Sequence, residues 1–297
     1  MTELLRVSNV EIDFETPLRR VQAVRGVSFS VDKGDAVAIV GASGSGKTVL
    51  SRSLLGLVDE PGVVRGSINF GGFEVVGRSE AELRRIRGMG IAMVFQDALD
   101  SLNPVYSIGA QLTEMHVVRL GMSRRDAREA SIGLMGQVGI SRAEERFHSY
   151  PHQFSGGMRQ RICIALAIGL KPKILVADEP TTALDVTVQA GILKLIKQLQ
   201  ADTGMGLIFI THDLAVARLI SRRALVMYAG KIVEQGLTEE IFENPQHPYT
   251  RALLAAHPGR VRSWKELEPI PESFVTDAPV PAVSDAGAHQ PTLMSAQ

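Results

Sequence analysis

The segment Gly41-Ala42-Ser43-Gly44-Ser45-Gly46-Lys47-Thr48 follows the apolar run Val37–Val40 and precedes a helical stretch, Val49–Leu55. Its glycines let a backbone curl until successive N–H groups converge on phosphate oxygens. The helix that follows turns the positive end of its dipole toward the same point. Lys47 can reach β- and γ-phosphates, and the Thr48 hydroxyl suits a magnesium ion. Strand, glycine loop and helix in this order give the pattern GxxxxGK[ST] its meaning as a nucleotide site. Gly41, Ser43, Gly44, Ser45, Gly46, Lys47, Thr48 and Val49 are the expected nucleotide contacts.

A phosphate loop of this kind needs an acid to hold the metal and a group to activate water. Lys173-Ile174-Leu175-Val176-Ala177-Asp178-Glu179 ends an apolar strand on two carboxylates. Asp178 is placed to face the metal, and Glu179, next along, to polarise water as general base. A second glycine motif, Phe154-Ser155-Gly156-Gly157-Met158-Arg159-Gln160, opens the helical stretch Arg159–Leu170. A serine and two glycines at a helix start make either a plain cap or a second anion site. Gln96 closes the run Ile91–Phe95. His212 follows Leu207–Ile210 and Thr211, at a strand end, where open parallel sheets place ligand groups.

The elements that must carry these residues are legible as well. Val37–Val40, Ile91–Phe95, Ile174–Ala177, Leu207–Ile210 and Ala224–Tyr228 read as strands buried on both faces, the habit of parallel sheets covered by helices. Val188, Ile192, Leu195, Ile196 and Leu199 fall on one helical face. Alternation over Leu5–Ile12 and Ser67–Phe70 predicts half-buried antiparallel strands. From about Leu99 to Pro151 the strand signal disappears, and Ser123 can cap a helix over Arg124–Val138 with Asp126 near its positive end. The pattern predicts an α/β core, an N-terminal antiparallel part and a helical insertion.

Composition narrows the class. The 297 residues carry 32 basic and 32 acidic side chains, which leaves no global footprint for nucleic acid or anionic membrane. At 45% apolar and 22% charged, the chain can bury a core. Cys163 alone can form neither an intrachain disulfide nor a cysteine-based metal cluster. No stretch reaches the ~18 apolar residues of a membrane helix, and the N-terminus lacks the features of a secretion signal. After Lys265 the chain has no Lys or Arg and carries five of its 14 prolines, a composition that predicts a flexible or surface-draped tail.

Taken in order, these motifs resemble the nucleotide-binding subunits of ABC transporters over about residues 4–258. Gly41–Thr48 resembles the Walker A loop, Ile174–Glu179 Walker B, and Ser155–Gln160 the signature motif. Gln96 matches the Q-loop, Thr182–Asp185 the D-loop, and His212 the switch histidine, while Phe14 sits where the family places an adenine-stacking aromatic. Phe95-Gln96-Asp97 with Ser101-Leu102-Asn103-Pro104, and His247-Pro248-Tyr249-Thr250, resemble the dipeptide, oligopeptide and nickel importer branch. Phe154, Met158 and Ala98 depart from the generic family pattern, although the peptide branch commonly uses Met at the place of Met158. A tail without cysteine excludes the iron–sulfur cluster of some branch members.

The resemblance implies a P-loop NTPase (RecA-like) core over residues 1–97 and 152–245, a helical subdomain over 98–151 that couples to a permease, and a C-terminal extension over 246–297. It implies an ATPase using ATP and Mg2+, with catalytic Glu179, His212, Lys47 and Gln96. Thr48, Gln96 and Asp178 would serve the metal; Phe14, Ser155, Gly156 and Gly157 would bind nucleotide; Asp185 would couple two sites. Implied partners are a second ATPase subunit, itself or a sister chain, packed head to tail, two transmembrane permeases and, indirectly, a substrate-binding protein, at the cytoplasmic face of the membrane and without nucleic acid. A soluble ABC ATPase of DNA repair or translation is the alternative.

Overall fold

The computed structural model describes residues 2–15, 20–96, 101–182 and 184–256. The expectations for Asp97 and Ala98 and for the acidic tail lie outside them.

The chain opens with β1 (Glu3–Glu15) and β2 (Arg20–Asp32), then β3 (Ala36–Val40), α1 (Lys47–Ser53), β4 (Gly62–Phe70) and β5 (Phe73–Glu74). After α2 (Glu80–Leu83) and β6 (Ile91–Val94) come four helices: α3 (Ile108–Leu120), α4 (Arg124–Gln137), α5 (Ala143–Arg146) and α6 (Gly156–Ile168). The remainder runs β7 (Ile174–Asp178), α7 (Val186–Thr203), β8 (Gly206–Thr211), α8 (Leu214–Ile220), β9 (Arg223–Tyr228), β10 (Lys231–Leu237), α9 (Thr238–Glu243) and α10 (Pro248–Ala255).

Two sheets result. One is antiparallel, in the order β2-β1-β4-β5; the other has the order β10-β9-β3-β8-β7-β6, parallel throughout except for β10. Side chains of its five parallel strands are buried on both faces, as the continuous apolar runs predict, whereas the edge strand β10 is half-buried to exposed. Along β7, Leu175 and Ala177 enter a core shared with α6 and α7, whereas Ile174 and Val176 face the antiparallel sheet and α1. The architecture is α/β, a P-loop NTPase fold with an antiparallel β part.

The apolar positions of β1 are Leu5, Val7, Val10 and Ile12, so strict alternation slips by one residue between Val7 and Val10. The strand absorbs the slip with a register shift there and with Asn9 at φ +47°, and all four side chains are buried. A bulge is the ordinary device for returning a strand to its inward face. Nearby, fully buried Asp13 accepts from Arg20 at 2.7 Å and from Arg65 at 2.5 Å, which ties β1 to β2 and β4.

Between β6 and β7 the described residues form helices and no strand. Ser123 caps α4, its hydroxyl accepting from the Asp126 amide at 3.2 Å, and Ser107 caps α3 in the same way. Ile192, Leu195, Ile196 and Leu199 on α7 are buried, with Val188 packed at the edge of the same core. His247 and Pro248 begin a helix: Pro248 takes the first helical position, where its missing N–H costs nothing, and His247 caps it.

Candidate active site

Strand order decides where the chemistry gathers. β8 lies between β3 and β7, and β6 lies beyond β7, all four parallel. Loop 41–46, His212, the pair Asp178-Glu179 and Gln96 therefore leave the sheet along one edge, at the carboxyl ends of their strands. That edge is where open α/β sheets bind ligands.

The loop holds its shape through space that only glycine leaves. A Cβ on Gly41 would stand 2.1 Å from the Met227 carbonyl oxygen, and one on Gly46 2.3 Å from that of Ala23. Gly46 also sits at φ +98° and forms the N-cap of α1. Lys47 is buried, and its Nζ donates to the carbonyls of Gly41 and Ala42 at 2.8 Å each, with Ser45 Oγ at 3.4 Å. Burial pushes the ammonium below the ordinary lysine range, partly countered by Glu179 and Asp178. Ser43 is exposed, and Val49 lies half-buried on α1.

Asp178 is buried at the end of β7, facing the start of α1. Thr48 Oγ1 lies 3.3 Å from one carboxylate oxygen and Ser51 Oγ 3.2 Å from the other. Burial pushes this carboxyl above its usual range, against the hydroxyls of Ser51 and Thr48. Among the described residues no group of three or more His, Cys, Asp or Glu could hold a metal. A hydroxyl beside one carboxylate instead fits magnesium, which takes few protein ligands and keeps water and phosphate oxygens.

Glu179 adopts φ +44°, a left-handed conformation that is strained for most residues other than glycine, asparagine and aspartate. Its amide donates to the Ile210 carbonyl at 3.0 Å, and its Oε2 accepts from Thr182 Oγ1 at 2.8 Å and lies 3.2 Å from His212 Nδ1. The proposed base and the strand-end histidine thus meet directly. His212 is largely exposed, so one side of the pair is open to an incoming group.

The other expected residues stand further out. Ser155 caps α6, accepting from the Met158 amide at 3.4 Å; Ser155 and Gly156 are exposed. Gly157 packs against α7, where a Cβ would meet Val188 Cγ1 at 2.4 Å. Among the described residues no hydrogen bond or ion pair joins Ser155–Gly157 to loop 41–48 of the same chain. Asp185 caps α7 through a 2.9 Å bond from the Val188 amide. Gln96 is exposed just past β6. Phe14 is half-buried on β1, paired with Val21 and facing Gly62, where only a glycine leaves room for its ring.

Ser51 lies outside the motifs, and Thr182 and Tyr249 lie inside them without an assigned role. Ser51 lies one turn after Thr48 on the same helix face and fixes Asp178; its spacing of three from Thr48 is the available signal. Thr182 holds the Glu179 carboxylate from three residues on. Tyr249, in the segment 247–250, is buried, and its hydroxyl accepts from the Ala42 amide at 2.8 Å.

A glycine loop with a buried lysine, an acid facing a threonine and a histidine-paired glutamate fit a P-loop ATPase site. Residues 24–182 match the ABC transporter family, and residues 233–278 match the oligopeptide/dipeptide transporter C-terminal region. The oligopeptide transport ATP-binding protein OppD of Bacillus subtilis is 48% identical over 268 residues, covering 90% of this chain and 75% of that protein. The dipeptide transport ATP-binding protein DppD of the same species is 48% identical over 272 residues, 91% of this chain and 81% of its own. A solved ATP-binding cassette, a dimer in a post-hydrolysis state with ADP and Pi, superposes with a TM-score of 0.71 at 26% identity, over 79% of this chain and 99% of that one. The chain belongs to the ABC transporter family. It is an ATP-binding, ATP-hydrolysing subunit, and the matches favour transport over DNA repair or translation. No helix among the described residues is long and apolar enough to cross a membrane.

Proposed function

We propose that the chain drives import of peptides or related small solutes, hydrolysing ATP in a composite site shared by two ATPase subunits packed head to tail. The similarity to OppD and DppD supports the cargo class. The convergence of Lys47, Asp178, Glu179 and His212 on one sheet edge carries the reaction type.

ATP phosphates lie on loop 41–48, with Lys47 on the β- and γ-phosphates and Phe14 against adenine. Thr48, Asp178 and Gln96 would hold Mg2+, which supplies charge neutralisation of the phosphate oxygens. Glu179 orients and deprotonates water, held by Thr182 and His212, and His212 turns toward the γ-phosphate. Catalysis of this kind rests on positioning and fixed charge. One loop covers only one side of the phosphates. Exposed Ser155 and Gly156, with Gly157 beside them, are unconnected to their own loop and suit the other subunit's ATP, with Asp185 coupling the two sites.

Residues 98–151 form the permease-coupling subdomain in this reading, inserted between core segments 1–97 and 152–245, with an extension from 246. It exposes the apolar side chains Val105, Tyr106, Val118 and Leu120, which two transmembrane partners at the cytoplasmic side of the membrane would cover. The substrate-binding protein takes part indirectly.

Ser155→Arg tests the composite site. The expected result is loss of turnover in the assembled transporter, with nucleotide affinity of the isolated chain unchanged. An equal loss of affinity in the isolated chain returns 154–160 to the local site.

A further inference from the structure

We propose that Tyr249 is a positioning residue for Lys47, acting through the Gly41–Ala42 peptide; the proposal rests on the reading that Lys47 grips the phosphates.

The Gly41 carbonyl and the Ala42 N–H belong to one planar peptide unit. Lys47 Nζ donates to that carbonyl at 2.8 Å, and the Ala42 N–H donates to Tyr249 Oη at 2.8 Å. Lysine and tyrosine therefore hold opposite edges of the same plane. Rotation of that plane would move one of the two carbonyls that seat the ammonium, so the phenol fixes the seat without touching the nucleotide.

The tyrosine is itself anchored through a run of polar contacts that begins on β10. Glu234 accepts the amides of Gln246 at 2.8 Å and His247 at 3.0 Å; His247 Nδ1 accepts the Tyr249 amide at 3.1 Å. Tyr249 belongs to one buried apolar cluster with Val40, Leu214, Val226 and Leu254, and its ring lies 4.5 Å from the Tyr228 ring, centroid to centroid. Val40 is the last residue of β3, directly before Gly41, so ring and hydroxyl brace the loop at its root. This gives residues 247–249, inside the segment that matches the oligopeptide/dipeptide transporter C-terminal region, a task at the nucleotide site.

The test uses the full chain and Tyr249→Phe, which removes only the hydroxyl. Titration with fluorescent analogues of MgATP and MgADP is expected to show affinity about three- to tenfold weaker, the range of one hydrogen bond. Amide exchange in residues 41–48 speeds up, and in the assembled transporter the loss falls on KM for ATP rather than on kcat. An affinity equal to the parent's, whatever the melting temperature does, overturns the proposal. Should Tyr249→Phe not fold, His247→Ala keeps the phenol and loosens its helix; a smaller weakening supports the proposal, and an unchanged affinity overturns it. Lys47→Ala separates the two readings, because nucleotide affinity retained in that variant overturns the site itself.

Discussion

Gly41→Ala adds one methyl group at a place where the backbone has no room for it. The new Cβ would stand 2.1 Å from the Met227 carbonyl oxygen and 2.8 Å from Ser45 Oγ. The serine hydroxyl can rotate away. Met227 cannot yield, being fully buried in β9 with β3 hydrogen-bonded alongside. The loop must then recede by about 1 Å merely to reach 3.0 Å, the floor of real Cβ contacts. Overpacking of this kind costs about 1–3 kcal/mol. The residue that recedes also carries a carbonyl holding Lys47, and a misplacement of about 1 Å costs roughly a hundredfold in positioning. The expected outcome is a melting temperature lower by several degrees and ATP turnover reduced by about two orders of magnitude, read by calorimetry and a steady-state ATPase assay of the assembled transporter. Gly133→Ala is the matched control, since it lies inside α4 with nothing within 4 Å of its Cβ. It should leave turnover untouched and stabilise by about 0.5–1 kcal/mol through helix propensity. If Gly41→Ala turned over ATP within twofold of the parent and melted within a degree of it, the argument from space would fail.

Glu179→Gln keeps the shape of the side chain and loses the proposed base, so steady-state ATP turnover should fall by roughly 10²–10⁴ while ATP stays bound. Asp178→Asn removes a carboxylate whose folded-state pKa is raised by burial; such a group weakens the fold as pH rises through the window above its unfolded value of about 3.9 and at every higher pH. The variant should therefore melt higher than the parent at pH 7 without nucleotide while losing magnesium-dependent affinity. Asp13→Ala leaves Arg20 and Arg65 facing each other without their shared acceptor; because both guanidiniums are about half exposed, the cost is about 1–3 kcal/mol at pH 7 in urea denaturation. The Arg20 hydrogen bond, with Arg65 and against burial, holds the Asp13 carboxyl below its usual range, so its contribution is complete above pH ~4 and fades as pH falls below that. The gap between parent and variant should narrow accordingly at pH 3.

The elements around the candidate site were legible because their signals are local. Gly41–Thr48 and Ile174–Glu179 each combine a buried strand with the polar residues that leave it, and the strand supplies the position. Even the slip in β1 stands in the spacing of Leu5, Val7, Val10 and Ile12, although only a partner strand shows that a bulge absorbs it. The roles of Ser51, Thr182 and Tyr249 were not legible, since a serine in a helix, a threonine two residues past a proline and a tyrosine behind a proline all look ordinary until topology sets them against Asp178, Glu179 and Ala42. The Glu179–His212 contact spans 33 residues and follows from β8 lying beside β7, an adjacency that single-chain patterning does not encode. The start of α10 carried a usable sign in Pro248 at the first helical position, but nothing local tells that its tyrosine reaches the glycine loop.

The positive φ of Glu179 sets chemistry and robustness at odds in any directed-evolution campaign. Glycine relaxes such a backbone at no steric cost, and it would also erase the carboxylate. A library sorted only for heat tolerance should enrich Glu179→Gly clones that outlast the parent yet hydrolyse ATP far more slowly, so screens on this scaffold need an activity gate from the first round.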